Sequence, residues 1–106
     1  MEMMMRAKLV KPANASNKEF FSVWLAESQA AIQALDAGVI KHIWKAAGRY
    51  EVIAVFEFEN GDQMDAAIHS LPIWTQGFAH VVEDIEWIPL RPYRNWGKQL
   101  EDLAKG

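Results

Sequence analysis

Met3 to Lys11 carries the apolar-rich pattern of a strand, which Pro12 ends. The period then changes. Taken at about 100° per residue, Phe20, Trp24, Ser28, Ala31 and Leu35 fall on one stripe, widened by Phe21 and Ile32, and this predicts an amphipathic helix. Ser16-Asn17-Lys18-Glu19 fits a capping box in front of it, and Gly38 fits the C′ stop behind it. The helix should therefore run from Asn17 to Ala37. Glu27 lies at the edge of the stripe, about 60° from Trp24.

Two strands should follow. In Val39 to Ala46, strict alternation places Ile40, His42, Trp44 and Ala46 on one face and Val39, Lys41, Ile43 and Lys45 on the other. Tyr50 to Phe58 alternates most clearly, and the turn at Gly48-Arg49 makes the two strands an antiparallel hairpin. Asn60-Gly61-Asp62 opens a second helix, Asp62 to Ser70, with Met64, Ala67, Ile68 and Leu71 inward, and Pro72 should end or bend it. After Gly77, His80 to Ile88 reads as a last strand, and Pro89 and Pro92 end regular pairing.

This β-α-β-β-α-β order is the ferredoxin-like α+β arrangement. Two helices cover one face of a four-stranded sheet. The strands are apolar on both sides, so the other face also requires cover; pairing face to face with a second copy would close a barrel between subunits, a dimeric α+β barrel. Residues 1–90 form this domain. The tail, 91–106, repeats Trp96, Leu100 and Leu103 at helical spacing and is expected to dock as a short helix on a neighbouring subunit.

Composition narrows the function. The chain has 106 residues, which bounds it to one domain, and there is no Cys, which removes disulfide scaffolds, zinc-thiolate sites and thiol nucleophiles. Five Trp, five Phe and two Tyr are more large rings than one small core needs, and suggest an interface or an apolar pocket. With 11 basic against 14 acidic residues there is no basic field to draw nucleic acid. No apolar run approaches a membrane span, and Met1 to Arg6 lacks the core of a signal peptide, so a cytoplasmic protein without a membrane partner is expected. The sequences that cradle nucleotides, hold zinc or form a nucleophile elbow are absent. His42, His69 and His80 show no metal-ligand spacing. Neither cofactor nor metal is expected.

What remains is carboxylate and imidazole chemistry in an apolar setting. A carboxylate at the edge of an aromatic stripe is desolvated, which raises its pKa and makes it a better acceptor of a proton from carbon; this singles out Glu27, against the ordinary state of a helix glutamate, which is solvated and idle. His42, on the face of Ile40 and Trp44, is a candidate to donate to a developing oxyanion or shuttle a proton, or else a core histidine satisfied by one partner. Arg49, Lys41 and Lys45 cluster at the hairpin and are candidates to hold a substrate carboxylate, although charges at a strand end are most often simply solvated. Tyr50 offers a phenol donor. Trp24, Trp44 and Trp74 are expected as pocket walls.

The run Lys41-His42-Ile43-Trp44-Lys45-Ala46-Ala47-Gly48-Arg49-Tyr50 resembles the signature of the muconolactone isomerase family, basic-His-aliphatic-Trp-basic-x-Ala-Gly-x-Tyr. Phe56-Glu57, Leu71-Pro72-Ile73-Trp74 and the spacing of Glu27 before Gly38 are similar to that family as well. The resemblance covers roughly residues 3 to 90; Thr75 to Ile88 follows it only loosely, and the tail is this chain's own. It implies a cofactor-free enzyme of dimeric α+β barrels that assemble into decameric rings. The substrate class implied is a small unsaturated lactone bearing a carboxylate, in which a proton moves and the double bond shifts. In that reading Glu27 is the base, His42 and Tyr50 are oxyanion donors, and Arg49 or a lysine binds the carboxylate. Two rivals share the fold: a cofactor-free oxygenase or cyclase on an aromatic or polyketide compound, and a non-catalytic carrier of a small acid.

Overall fold

Strand β1, Glu2–Leu9, lies at the centre of the sheet, where it pairs antiparallel with both neighbours. Helix α1, Asn17–Asp36, follows. Its start is fixed by sequence chemistry: Ser16 Oγ accepts from the Glu19 N–H at 3.1 Å, and Glu19 Oε1 accepts from the Ser16 N–H at 3.3 Å. Its end is fixed by Gly38, whose φ of 83° is open to glycine and strained for other residues. Strands β2, Ile40–Lys45, and β3, Glu51–Glu57, form the expected hairpin. Helix α2, Gly61–His69, is capped by Asn60, whose Oδ1 accepts from Gln63 N–H at 2.8 Å. Pro72 does more than end it: it occupies the first turn of a short helix α3, Pro72–Thr75, where its missing N–H costs nothing. The last strand, β4, Val82–Pro89, starts two residues later than expected because Ala79–Val81 is wound as a 3₁₀ turn. These elements come from a computed structural model describing residues 1–106.

The sheet order is β2-β3-β1-β4, antiparallel throughout, which is the ferredoxin-like topology. Met3, Met5, Ala7 and Leu9 of β1 share the inner face with Val52, Ala54 and Phe56 of β3, through the pairs Met3↔Phe56, Met5↔Ala54 and Ala7↔Val52. The helices cover this face alone.

In β2 the strict alternation fails. Ile40 pairs with Phe56, but His42 pairs with Val55, so one extra residue, Lys41, is bulged out. The bulge reverses the parity of everything after it. Ile43 and Lys45 join Ile40 on the inner face, whereas His42 and Trp44 stand with the outward residues Ile53 and Val55.

The core is divided. Met3, Ile40, Ala54, Phe56 and Phe58 form one buried cluster, packed against Ala31, Ala34 and Leu35 of α1 and Met64 and Ala67 of α2. Leu9, Phe20, Ile73 and Val81 form the other. Small side chains (Ala7, Ala54 and Ala31) face one another where larger ones would have joined the two clusters, and a gap is left between them.

On the outer face, Glu51 is only 2% exposed, and Arg6 supplies it with two contacts, Nε at 3.1 Å and a terminal nitrogen at 2.9 Å. The tail forms helix α4, Tyr93–Leu103, as its spacing predicts. It projects from the body, which makes the molecule 60 Å long against 27 and 21 Å in the other directions.

Candidate active site

The gap between the two clusters is a cavity of about 370 Å³ between α1, α3 and the inner face of the sheet. That is large enough for a small ring compound with a side chain. Its wall is apolar except for three side chains: Glu27 and Ser28 of α1, and Lys45 of β2. Ile40 and Phe56 close one end, and Leu9 and Ile73 the other.

Glu27 reaches the cavity because it stands on the inward edge of α1. Its Oε1 accepts a hydrogen bond of 2.9 Å from the backbone N–H of Ile73. That N–H is in the first turn of α3, where no helical carbonyl claims it. Burial among apolar groups pushes the Glu27 carboxyl above its ordinary value of about 4.5, and the bond from Ile73 opposes the shift without cancelling it. The carboxylate is thus oriented at one oxygen and destabilised as an anion, which strengthens it as a proton acceptor.

Trp24, on the stripe of α1, and Trp74, in the Leu-Pro-Ile-Trp run, line the cavity; Trp44 touches only its margin, because its side chain stands on the outer face of the sheet. The remaining expected site residues lie elsewhere. His42 is exposed on the outer face, stacked on Trp44 with ring centres 5.5 Å apart, because the Lys41 bulge turned it away from the helices. Lys41, the bulged residue, is itself exposed. Arg49 is drawn to the buried Glu51, with 3.4 Å between its terminal nitrogen and Oε2, and does not border the cavity. Tyr50 packs its ring against Phe20, Phe21 and Trp24, with centres 5.5–5.9 Å apart, and serves the second cluster rather than the cavity.

In their place stand Lys45 and Ser28. Lys45 belongs to the basic cluster that the sequence points to, and its ammonium donates to the Ala46 carbonyl at 3.0 Å. The sequence signal for its position is the pair Ile40 and Ile43: two apolar residues three apart in a strand share a face only across a bulge. Ser28 lies on the helical stripe in plain view, but a serine among core positions passes for a filler.

No group of three or more His, Asp or Glu side chains comes together as a metal site would require. No helix is long and apolar enough to cross a membrane.

The family model for muconolactone delta-isomerase matches residues 1–95. The chain belongs to the muconolactone delta-isomerase family. Among solved structures, a muconolactone isomerase is similar with a TM-score of 0.71 and 20% identity, over 87% of this chain and 90% of that one. A 5-chloro-2-hydroxyhydroquinone dehydrochlorinase from Burkholderia phenoliruptrix, in complex with 2,5-dihydroxybenzoquinone, is similar at 0.60 and 12% identity, over 84% and 93%. An uncharacterised NIPSNAP domain protein from Burkholderia xenovorans is similar at 0.50 and 17%, over 87% and 94%. At these identities the likeness is one of fold. No curated protein matches the chain by sequence.

Proposed function

We propose that this member of the family is a cofactor-independent isomerase that moves a proton within a small unsaturated lactone carrying a carboxylate, with Glu27 as the base and then the acid. One observation carries the reading: the only carboxylate facing the cavity is desolvated and anchored at one oxygen by Ile73 N–H. The free oxygen takes a proton from the ring carbon activated through the conjugated double bond. The C–H electrons flow toward the lactone carbonyl, whose oxygen gains negative charge. The protonated Glu27, whose proton exchanges with solvent while the carboxyl holds it, then gives a proton to the carbon beside the carbonyl, and the double bond shifts to give the enol-lactone. No electrons are gained or lost, and the carboxylate is regenerated. Lys45, the one cation on the wall, suits the substrate carboxylate.

The test is incubation with muconolactone and its methyl- and chloro-substituted analogues in D₂O. The expected result is formation of enol-lactone with deuterium entering the recovered lactone. A carrier would give neither, and oxygen uptake with phenolic compounds would mark an oxygenase instead.

The functional unit in this reading is an assembly of copies. A compact chain of this length has a radius of gyration of about 13 Å, whereas this one reaches 16.9 Å because α4 stands free. Trp96, Leu100 and Leu103 lie along α4, with the Arg91 guanidinium 5.7 Å from the Trp96 ring centre. Phe21, Leu25 and Ile32 form an exposed apolar stripe on α1, falling within about 40° of one another. A second copy's α4 is the occupant that this stripe fits, since each chain carries one of each and Ile32 borders the cavity. Leu100→Asp combined with Leu103→Asp is expected to lower the oligomer mass in sedimentation while the body keeps its melting transition. An unchanged mass would leave α4 without this role.

A further inference from the structure

Proton abstraction from a carbon conjugated with a carbonyl builds charge on the carbonyl oxygen, and a donor aimed at that oxygen is usually the largest single contribution to the rate. The two residues whose chemistry suits this task, His42 and Tyr50, do not border the cavity. Within one chain a side-chain donor has to come from the wall itself, and the wall offers three polar side chains. Glu27 is occupied as the base. Lys45 is exposed toward the cavity's rim and bound to the Ala46 carbonyl. Ser28 is the third.

Its setting is unusual for a serine inside a helix. Such hydroxyls commonly bond back to the carbonyl one turn earlier. Ser28 Oγ has no hydrogen-bond partner in the chain, although every fully buried side-chain polar atom has one. The hydroxyl is therefore open to the cavity, among apolar neighbours, with its donor unspent. Glu27 and Ser28 are consecutive on α1 and diverge by about 100°. Two side chains so placed on one wall can meet a bound ring at two different atoms, one at a carbon and one at an oxygen.

We propose that the Ser28 hydroxyl donates to the lactone carbonyl oxygen as charge develops there, while Lys45 holds the substrate carboxylate. The assignment rests on the isomerase reading above. It divides the labour by charge. The substrate carboxylate is charged before and during reaction, so a cation there strengthens binding throughout. The carbonyl oxygen is charged only in the transition state, so a neutral donor there acts on turnover.

Removing an oxyanion donor costs about 10²–10³ in kcat where that donor has been measured elsewhere, and for Ser28→Ala the expectation is a kcat lowered by about 10–10²-fold, with KM within about twofold. Deuterium entry into muconolactone should slow by the same factor. Ser28→Thr and Ser28→Val are isosteric and differ in the hydroxyl, so threonine should exceed valine in kcat by about tenfold or more. Lys45→Met should raise KM by about tenfold with kcat within a few-fold. Equal kcat for threonine and valine, or an alanine effect confined to KM, overturns the assignment. So does a kcat loss found in Lys45→Met and not in Ser28→Ala. Glu27→Gln separates the layers: if it still exchanges deuterium, the isomerase reading itself fails; if it does not while Ser28→Ala turns over normally, only the role of Ser28 is lost.

Discussion

Glu27→Gln is expected to lower kcat by about 10²–10⁴-fold, the range that a positioned general base contributes, and at the same time to make the folded protein more stable at neutral pH. Glutamine keeps an oxygen that can accept from Ile73 N–H, so the geometry between α1 and α3 survives. What is lost is the capacity to take a proton from carbon. The gain in stability follows from linkage. The folded-state pKa of Glu27 lies above its unfolded value, so folding favours the protonated form. That contribution is fully present below the unfolded value near 4.5 and is lost as pH rises through the raised folded value. Above that window the wild type holds a desolvated anion and the glutamine variant does not. Thermal melts of the two proteins should therefore separate as pH rises and converge in acid. The same shift places the acidic limb of the wild-type kcat/KM profile above the range of an exposed glutamate, since only the deprotonated carboxylate is a base. A variant with near-normal turnover, or an acidic limb at the ordinary glutamate value, would remove Glu27 from the chemistry.

Phe20→Ala is expected to destabilise the fold by about 3–5 kcal/mol, the usual cost of emptying a buried phenylalanine site. Phe20 is 2% exposed and packs at the centre of the Leu9, Ile73 and Val81 cluster, against Trp24 and Tyr50. Domains are stable by only about 5–15 kcal/mol, and each kcal/mol lowers Tm by roughly 4–8 °C at this size, so a fall of at least about 12 °C is expected by calorimetry. Phe20→Leu, which keeps most of the volume, should lose much less. The effect reaches the site through Ile73, which belongs to the same cluster and whose N–H orients Glu27. A loss under about 1 kcal/mol would mean that the cluster collapses around the vacancy and is not the rigid wall described here.

These two residues also mark how far the sequence could be read. Ser16 and Glu19 announce the start of α1, and Gly38 its end, because capping and left-handed backbone are decided within a few neighbouring residues. The stripe through Phe20 and Trp24 orients the helix for the same local reason, and Glu27 follows onto its inward edge. The order of strands and helices then leaves few topologies, and the ferredoxin-like one is observed.

His42 and Lys45 show where local rules stop. Which face a strand residue occupies depends on its register with the neighbouring strand, and one bulged residue, Lys41, exchanges the two. Within the hexapeptide Ile40–Lys45 only the three-residue spacing of Ile40 and Ile43 hints at that register; it is set by pairing with β3 and by the need to put both isoleucines under α1. The bond from Ile73 to Glu27 spans 46 positions and exists only once α3 has docked. The cavity is likewise a property of three alanines from three separate elements meeting across the inner face. Periodicity and capping, being short-range, are written in the chain itself; strand parity, the hollow and the anchored carboxylate arise from contacts between distant segments, which become defined only when the layers pack.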